Sequence, residues 1–290
     1  MPLLTILRTI AIAILSHLNM GSISETEDFP PNSLAKKDFR LDFNDDFNKK
    51  EIDISNWIPY YLPQWSSREL STPEYEIRDG NLILKITATQ KPWCPEFNGQ
   101  VKCSSIQTGV FSGVLGSKLG QHKVNTHCVV REEQKPEFTY LPQYGYFEIR
   151  AKSLNTASNV VSLWMIGFED HPERSAEICI FEVKGHNVSK NQAIIGYGIH
   201  KFTDLKLKEA FFEEEFELDV TNFHIYSAEW TSKSVIFYID NKKIKEIPQS
   251  PDYPMQFMLG LYEIPAGQNF TDAKYPKEFV VDYVRGYKRL

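Results

Sequence analysis

Tyr75-Glu76-Ile77-Arg78-Asp79-Gly80-Asn81-Leu82-Ile83-Leu84-Lys85-Ile86-Thr87 is the stretch that decides the fold class. Two short strand-forming runs flank an Asp-Gly pair, and that pair tolerates the positive φ angles of a tight hairpin turn. Outward from it, Val235-Ile236-Phe237-Tyr238-Ile239 meets Asp240-Asn241 and then Ile244-Lys245-Glu246-Ile247, a second hairpin. Tyr146 to Lys152 alternates with period two, and Glu278 to Arg285 forms a last strand. Beyond the N-terminal leader no long window carries a 3.6-residue apolar period. Lys206 to Glu217 alone would fit a helical turn or two, with Glu213 to Glu215 as a solvated loop face. Many short strands at this spacing predict an all-β sandwich or jelly roll, with loops gathered at the rim of one concave sheet.

A chain of 290 residues accommodates one such domain, placed at 41–290. Residues 25–40 are polar, contain Pro30-Pro31, and read as a linker or N-terminal strap. Residues 1–24 read as a secretory signal peptide. Arg8 precedes the apolar run Ile10 to Leu15, too short to span a bilayer, and Ser22 and Ser24 are spaced like the positions before a cleavage site. The alternative for this segment is a buried or frayed terminal helix. Asn187-Val188-Ser189 and Asn269-Phe270-Thr271 are glycosylation sequons, which carry meaning only in a secreted chain. Cys94 and Cys103 bracket a turn-rich stretch and are candidates for a small disulfide loop, or are free thiols; Cys128 and Cys179 have no evident partner. The expected location is therefore extracellular. Net charge is −6 with no Lys/Arg block, which argues against nucleic acid and anionic membranes as partners. A neutral polysaccharide suits this balance better. No cofactor is called for, and a monomer is expected.

Chemistry points to Ser175-Ala176-Glu177-Ile178-Cys179-Ile180-Phe181-Glu182-Val183, a strand with two carboxylates. Glycoside hydrolysis uses such a pair, roughly 5–5.5 Å apart in retaining enzymes. Strict alternation would put Glu177, Cys179 and Phe181 on one face and Glu182 on the other. A β-bulge at Ile180-Phe181 adds one residue and returns Glu182 to the face of Glu177. The simpler reading is an amphipathic strand with an exposed glutamate.

The sequence resembles glycoside hydrolase family 16, the laminarinases and licheninases, whose signature is Glu-x-Asp-x-Glu or the bulged Glu-x-Asp-x-x-Glu. Glu177-Ile178-Cys179-Ile180-Phe181-Glu182 is similar to the bulged form. Tyr144 to Arg150, Val161 to Gly167, Phe223 to Trp230 and Val281 to Arg285 resemble other family strands, in family order from about Leu41 onward. The resemblance implies a concanavalin A-like jelly-roll sandwich of two antiparallel sheets with a concave substrate cleft. It also implies a glycosidase that hydrolyses O-glycosyl bonds of a β-glucan-like polysaccharide by retaining double displacement. Glu177 matches the nucleophile and Glu182 the general acid/base. Cys179 stands where the family has an aspartate, and a thiol is a poor substitute as acceptor and proton partner. A carbohydrate-binding protein with weak or no activity is the second reading, and a lectin-like structural or adhesion domain the third.

Four residues are expected to touch sugar. Trp65, in a loop before the first hairpin, offers an exposed aromatic face; Trp164 falls on the strand expected beside the catalytic one. Tyr262 alternates onto one face with Gln256 and Met258. His200 lies where family members often carry a cleft histidine, against the alternative of a structural histidine. Trp57, Trp93 and Trp230 are read as core or rim, and His224 as structural. The resemblance further implies a structural calcium in some members, for which Asp282 and Gly80 match in type.

Overall fold

The computed structural model describes residues 27–265 and 274–290. The 1–24 signal reading and the Asn269 sequon lie outside these residues. Both hairpins form at the expected turns. β1 (Phe39–Asp45) is followed by β2 (Glu74–Arg78) and β3 (Asn81–Ile86), joined through Asp79 and Gly80 at φ 55° and 70°. β4 (Lys102–Gln107), β5 (Gly109–Val110) and β6 (Glu137–Phe138) lead to β7 (Gly145–Lys152) and β8 (Asn159–Gly167). Then come β9 (Glu177–Val188), β10 (Ala193–His200), β11 (Ala210–Phe216) and β12 (His224–Trp230). β13 (Val235–Ile239) and β14 (Lys242–Ile247) form the second hairpin, with Asp240 and Asn241 at φ 49° and 64°; β15 (Met255–Glu263) and β16 (Lys277–Arg289) complete the set.

Eight strands build one antiparallel sheet in the order β14-β13-β12-β7-β16-β3-β2, with β1 also paired to β16. Six build the other, β11-β10-β9-β8-β15-β4. This is the jelly-roll sandwich expected. Phe147, Ile149 and Ala151 of β7 meet Leu163, Met165, Ile178 and Phe181 of the opposite sheet in a continuous core. Removing each such large side chain from water contributes roughly 1.5–3 kcal/mol.

The stretch from Lys206 to Glu217 corrects the helical expectation. Residues Ala210–Phe216 form strand β11 at the edge of the six-stranded sheet, paired residue by residue with β10, and Glu213 to Glu215 belong to that strand. Pairing with β10 overrides the weak local preference. Residues ahead of β1 cross the outer face of the eight-stranded sheet. Phe29 N–H donates to Phe223 O at 2.7 Å, Arg150 Nε to Phe29 O at 2.8 Å, and Asn32 Nδ2 to Glu148 at 2.9 Å.

A second apolar cluster covers part of the outer face of the six-stranded sheet. Trp164 and Ile166 of β8, Met258 and Tyr262 of β15 and Cys103 of β4 pack beneath Tyr61, Leu62, Trp65, Trp93, Cys94 and Cys128 from the connecting segments. Trp65 is fully buried there, its Nε1 donating to Gln121 O at 2.8 Å. The expected sugar platform is thus a wall support, because the loop that carries it folds back onto the sheet. Cys94 and Cys103 are likewise not bridged. All four cysteines are free and buried, and the Cys94 thiol donates to Trp65 O at 3.2 Å. Cys94, Cys103 and Cys128 fill the cluster as small apolar groups, and Cys179 lies apart on β9.

Candidate active site

β9 lies between β8 and β10, and its register shifts against both neighbours at one place. On the β8 side Leu163 faces Phe181 but Trp164 faces Cys179; on the β10 side Gly196 faces Glu182 but Gly198 faces Cys179. One extra residue therefore sits at Ile180-Phe181, the bulge the sequence required. Both bulge side chains enter the core, where Phe181 stacks on Tyr226 at 4.2 Å between ring centroids. Gly198 makes room opposite, at φ 139° with a would-be Cβ 2.3 Å from Ala210 O. A side chain there would push β11 away from the bulge.

The consequence is that Glu177, Cys179, Glu182 and Lys184 all line one cleft of about 290 Å³. Its walls add Trp164, Ser162 and Val160 from β8, Tyr262 from β15, and Tyr61, Asn98 and His122 from loops. Trp164 Nε1 donates to Tyr262 Oη at 3.2 Å, and the Tyr61 ring meets Tyr262 edge-on at 5.4 Å. These rings brace one another in the cleft wall.

Among the described residues the Glu177 carboxyl has no hydrogen-bond partner from the protein, and burial, then the charges of Glu182 and Glu209, push it well up. Lys184 Nζ lies 3.4 Å from Glu182 and 2.8 Å from Glu213 of β11. Burial pulls the Lys184 ammonium down, but Glu213 and Glu182 more than offset this. The Cys179 thiol is raised by burial and by both glutamates, so it stays a neutral thiol between them. His122 is pushed down to about 4 by burial and by His200, which leaves a neutral imidazole packed on Trp164 at 4.9 Å.

Not every expected residue reaches the cleft. His200 faces Glu177 across the β9–β10 ladder, but its ring stacks on Phe211 at 4.3 Å and its Nδ1 meets Glu209. Asp282 accepts from Arg150 Nη1 at 2.7 Å on the far sheet, so its carboxylate is already neutralised, and a calcium ion would have to displace that pair. No group of three His, Cys, Asp or Glu able to hold a metal occurs among the described residues. Asn187 is half-buried at the end of β9. Among the cleft residues that escaped the sequence reading are Lys184 and His122. Lys184 follows Glu182 by two positions, so alternation alone could have found it. His122 comes from a loop and left no local signal.

Comparison with known proteins gives consistent matches. The sequence profile of Glycosyl hydrolases family 16 matches residues 130–285. A solved GlcNAcα1-4Gal releasing endo-β-galactosidase from Clostridium perfringens is 32% identical with a TM-score of 0.78. The match covers 91% of this chain and 66% of that one. Glucan endo-1,3-beta-glucosidase A1 of Niallia circulans is 24% identical over 92% of this chain, which spans only 41% of that protein's length. The laminarinase catalytic domain from Thermotoga petrophila RKU-1 shares the fold at 20% identity and a TM-score of 0.60, over 87% of this chain and 98% of that one.

Proposed function

The chain belongs to glycosyl hydrolases family 16, and from that premise we propose that it is a glycosidase cutting internal β-linkages of a polysaccharide with retention of configuration. A β-glucan or a β-galactan backbone is the class acted on, following the two relatives named above. The observation that carries this reading is the bulge at Ile180-Phe181, which brings Glu177 and Glu182 to one cleft. The reaction runs in two steps. Glu177, as carboxylate, forms a bond to the anomeric carbon while the glycosidic bond breaks and Glu182 delivers its proton to the leaving oxygen. Water then loses a proton to Glu182, attacks the anomeric carbon and releases Glu177.

Burial, then the charges of Glu182 and Glu209, raise the Glu177 carboxyl, and the productive form is the one in which Glu177 has given up its proton. Glu182 then serves as the proton donor. Cys179 contributes shape and adds no third charge. Work on polymeric glycan fits an extracellular setting.

Reducing-end release from laminarin and from β-galactan is the test. The wild-type chain should release ends from at least one, with the β-anomer appearing first by proton NMR. Glu177→Gln should keep its melting temperature and lose roughly 10³-fold or more in kcat. A wild type that releases nothing, or a Glu177→Gln variant of equal activity, sinks the assignment.

A further inference from the structure

His122 is a wall shared by the cleft and a second cavity of about 350 Å³ next to it. Two lysines line this cavity, Lys118 and Lys123; both are exposed, and neither has an ion-pair or hydrogen-bond partner among the described residues. The single carboxylate in its lining is Glu169. That group is 9% exposed, accepts from His122 N–H at 2.7 Å, and is pushed up to about 8 by burial, so at neutral pH it does not cancel the lysines. Leu119 and Phe202 present apolar surface alongside, 37% and 45% exposed.

The lysines flank a pinned segment. Gly120 packs against Trp65, where a Cβ would come within 2.7 Å of the indole. Gln121 Nε2 donates to Phe168 O at 3.0 Å and to Gln256 at 2.6 Å, and Gln121 Oε1 accepts from Phe111 N–H at 2.9 Å. His122, Glu169 and Phe202 sit at φ 42°, 56° and 40°, three bulky residues in the left-handed region around one cavity. Such conformations persist where the surroundings hold a functional shape.

From the cavity, its unpaired cations and its rigid rim we infer that this pocket is a subsite for a sugar unit bearing a fixed oxyanion, a sulfate ester or a uronate carboxylate. The inference rests on the proposed hydrolase reading, since that sugar belongs to the chain whose scissile bond lies over Glu177 and Glu182. The overall charge of −6 averages over this local reversal, and an acidic catalytic centre has a cationic end. Partly exposed pairs are individually weak and screened by salt, so about tenfold in affinity is expected from both lysines together at low salt.

The test is calorimetric binding to the full-length Glu177→Gln chain, with and without Lys118→Met and Lys123→Met together. Probes are carrageenan oligosaccharides, oligogalacturonates and laminarin oligosaccharides of matched length. One anionic set should bind about tenfold tighter than laminarin at low salt, and the preference should vanish at high salt and in the double-lysine variant. Laminarin affinity should not change with the lysine substitutions. Preference for the carrageenan set assigns sulfate, and preference for the galacturonates assigns carboxylate. Absence of any anionic preference, absence of binding by both anionic sets, or a preference that survives loss of both lysines overturns the inference. A wild type without hydrolytic activity that still shows the lysine-dependent preference overturns the hydrolase reading and leaves the anionic subsite standing.

Discussion

Burial pushes the Glu169 carboxyl up to about 8 although the His122 N–H still donates to it at 2.7 Å. The folded chain therefore binds this proton more tightly than the unfolded one, and stability falls as pH rises from the ordinary carboxyl value of 4.5 through about 8. Glutamine keeps an acceptor for His122 N–H and cannot ionise. The melting-temperature gain of Glu169→Gln over the parent should thus widen between about pH 5 and about pH 9, towards an upper bound of roughly 4 kcal/mol. A gap that stays constant or closes with pH would refute the burial argument. At this scale the sequence was legible where chemistry follows the chain. Glu177, Cys179 and Glu182 could be named because strand alternation and one bulge relate them. Trp65 and His122 could not, because their surroundings come from segments distant in sequence. The Trp65 indole finds Gln121 and the His122 ring finds Trp164 only once the loops have closed over the sheet.

The bulge couples a core requirement to a cleft requirement within one element. Ile180 and Phe181 both point inward, so Val183 continues on the core face while Glu182 and Lys184 remain on the outer one. Inserting one alanine after Phe181 would reverse every later side chain, driving Glu182 and Lys184 inward and Val183 out. Uncompensated buried charges cost several kcal/mol each, so this variant should lose its cooperative melt. Deleting Ile180 restores plain alternation with both glutamates still outward, at roughly 3.3 Å less separation. That variant should melt cooperatively with a loss of about 2–5 kcal/mol for the missing side chain. Equal behaviour of the two variants in a thermal melt followed by near-ultraviolet dichroism would show that the bulge does not set the facing. The hairpins at Asp79-Gly80 and Asp240-Asn241 were legible because turn chemistry is local. Strand β11 was not, since Ala210–Phe216 gains its extended form from β10.

Across the whole molecule, chemistry and stability occupy opposite outer faces. The cleft is on the six-stranded sheet, whereas the strap holds the eight-stranded one through Asp28–Lys152 at 3.1 Å, Lys36–Glu148 at 3.4 Å and Arg285 Nη1 donating to Asn32 O at 2.9 Å. Removing residues 27–36 exposes Glu148, whose side chain is fully buried under them. Such a truncation should lower stability by roughly 2 kcal/mol or more while leaving kcat within a fewfold of the parent. A matching fall in kcat at temperatures where the truncated chain is fully folded would contradict this separation of faces. The edge strand β11 has a further consequence. An open sheet edge invites the same edge of another molecule to add on, the first step of fibre growth. Here Glu213, Glu214 and Glu215 run along that edge, the first two paired with Lys184 and Lys245, and two copies meeting there would have to strip water from those ion pairs and bring the Glu215 carboxylates together. The edge that closes the catalytic sheet thus also keeps crowded copies of the molecule from zipping together, and dissolved salt weakens that repulsion.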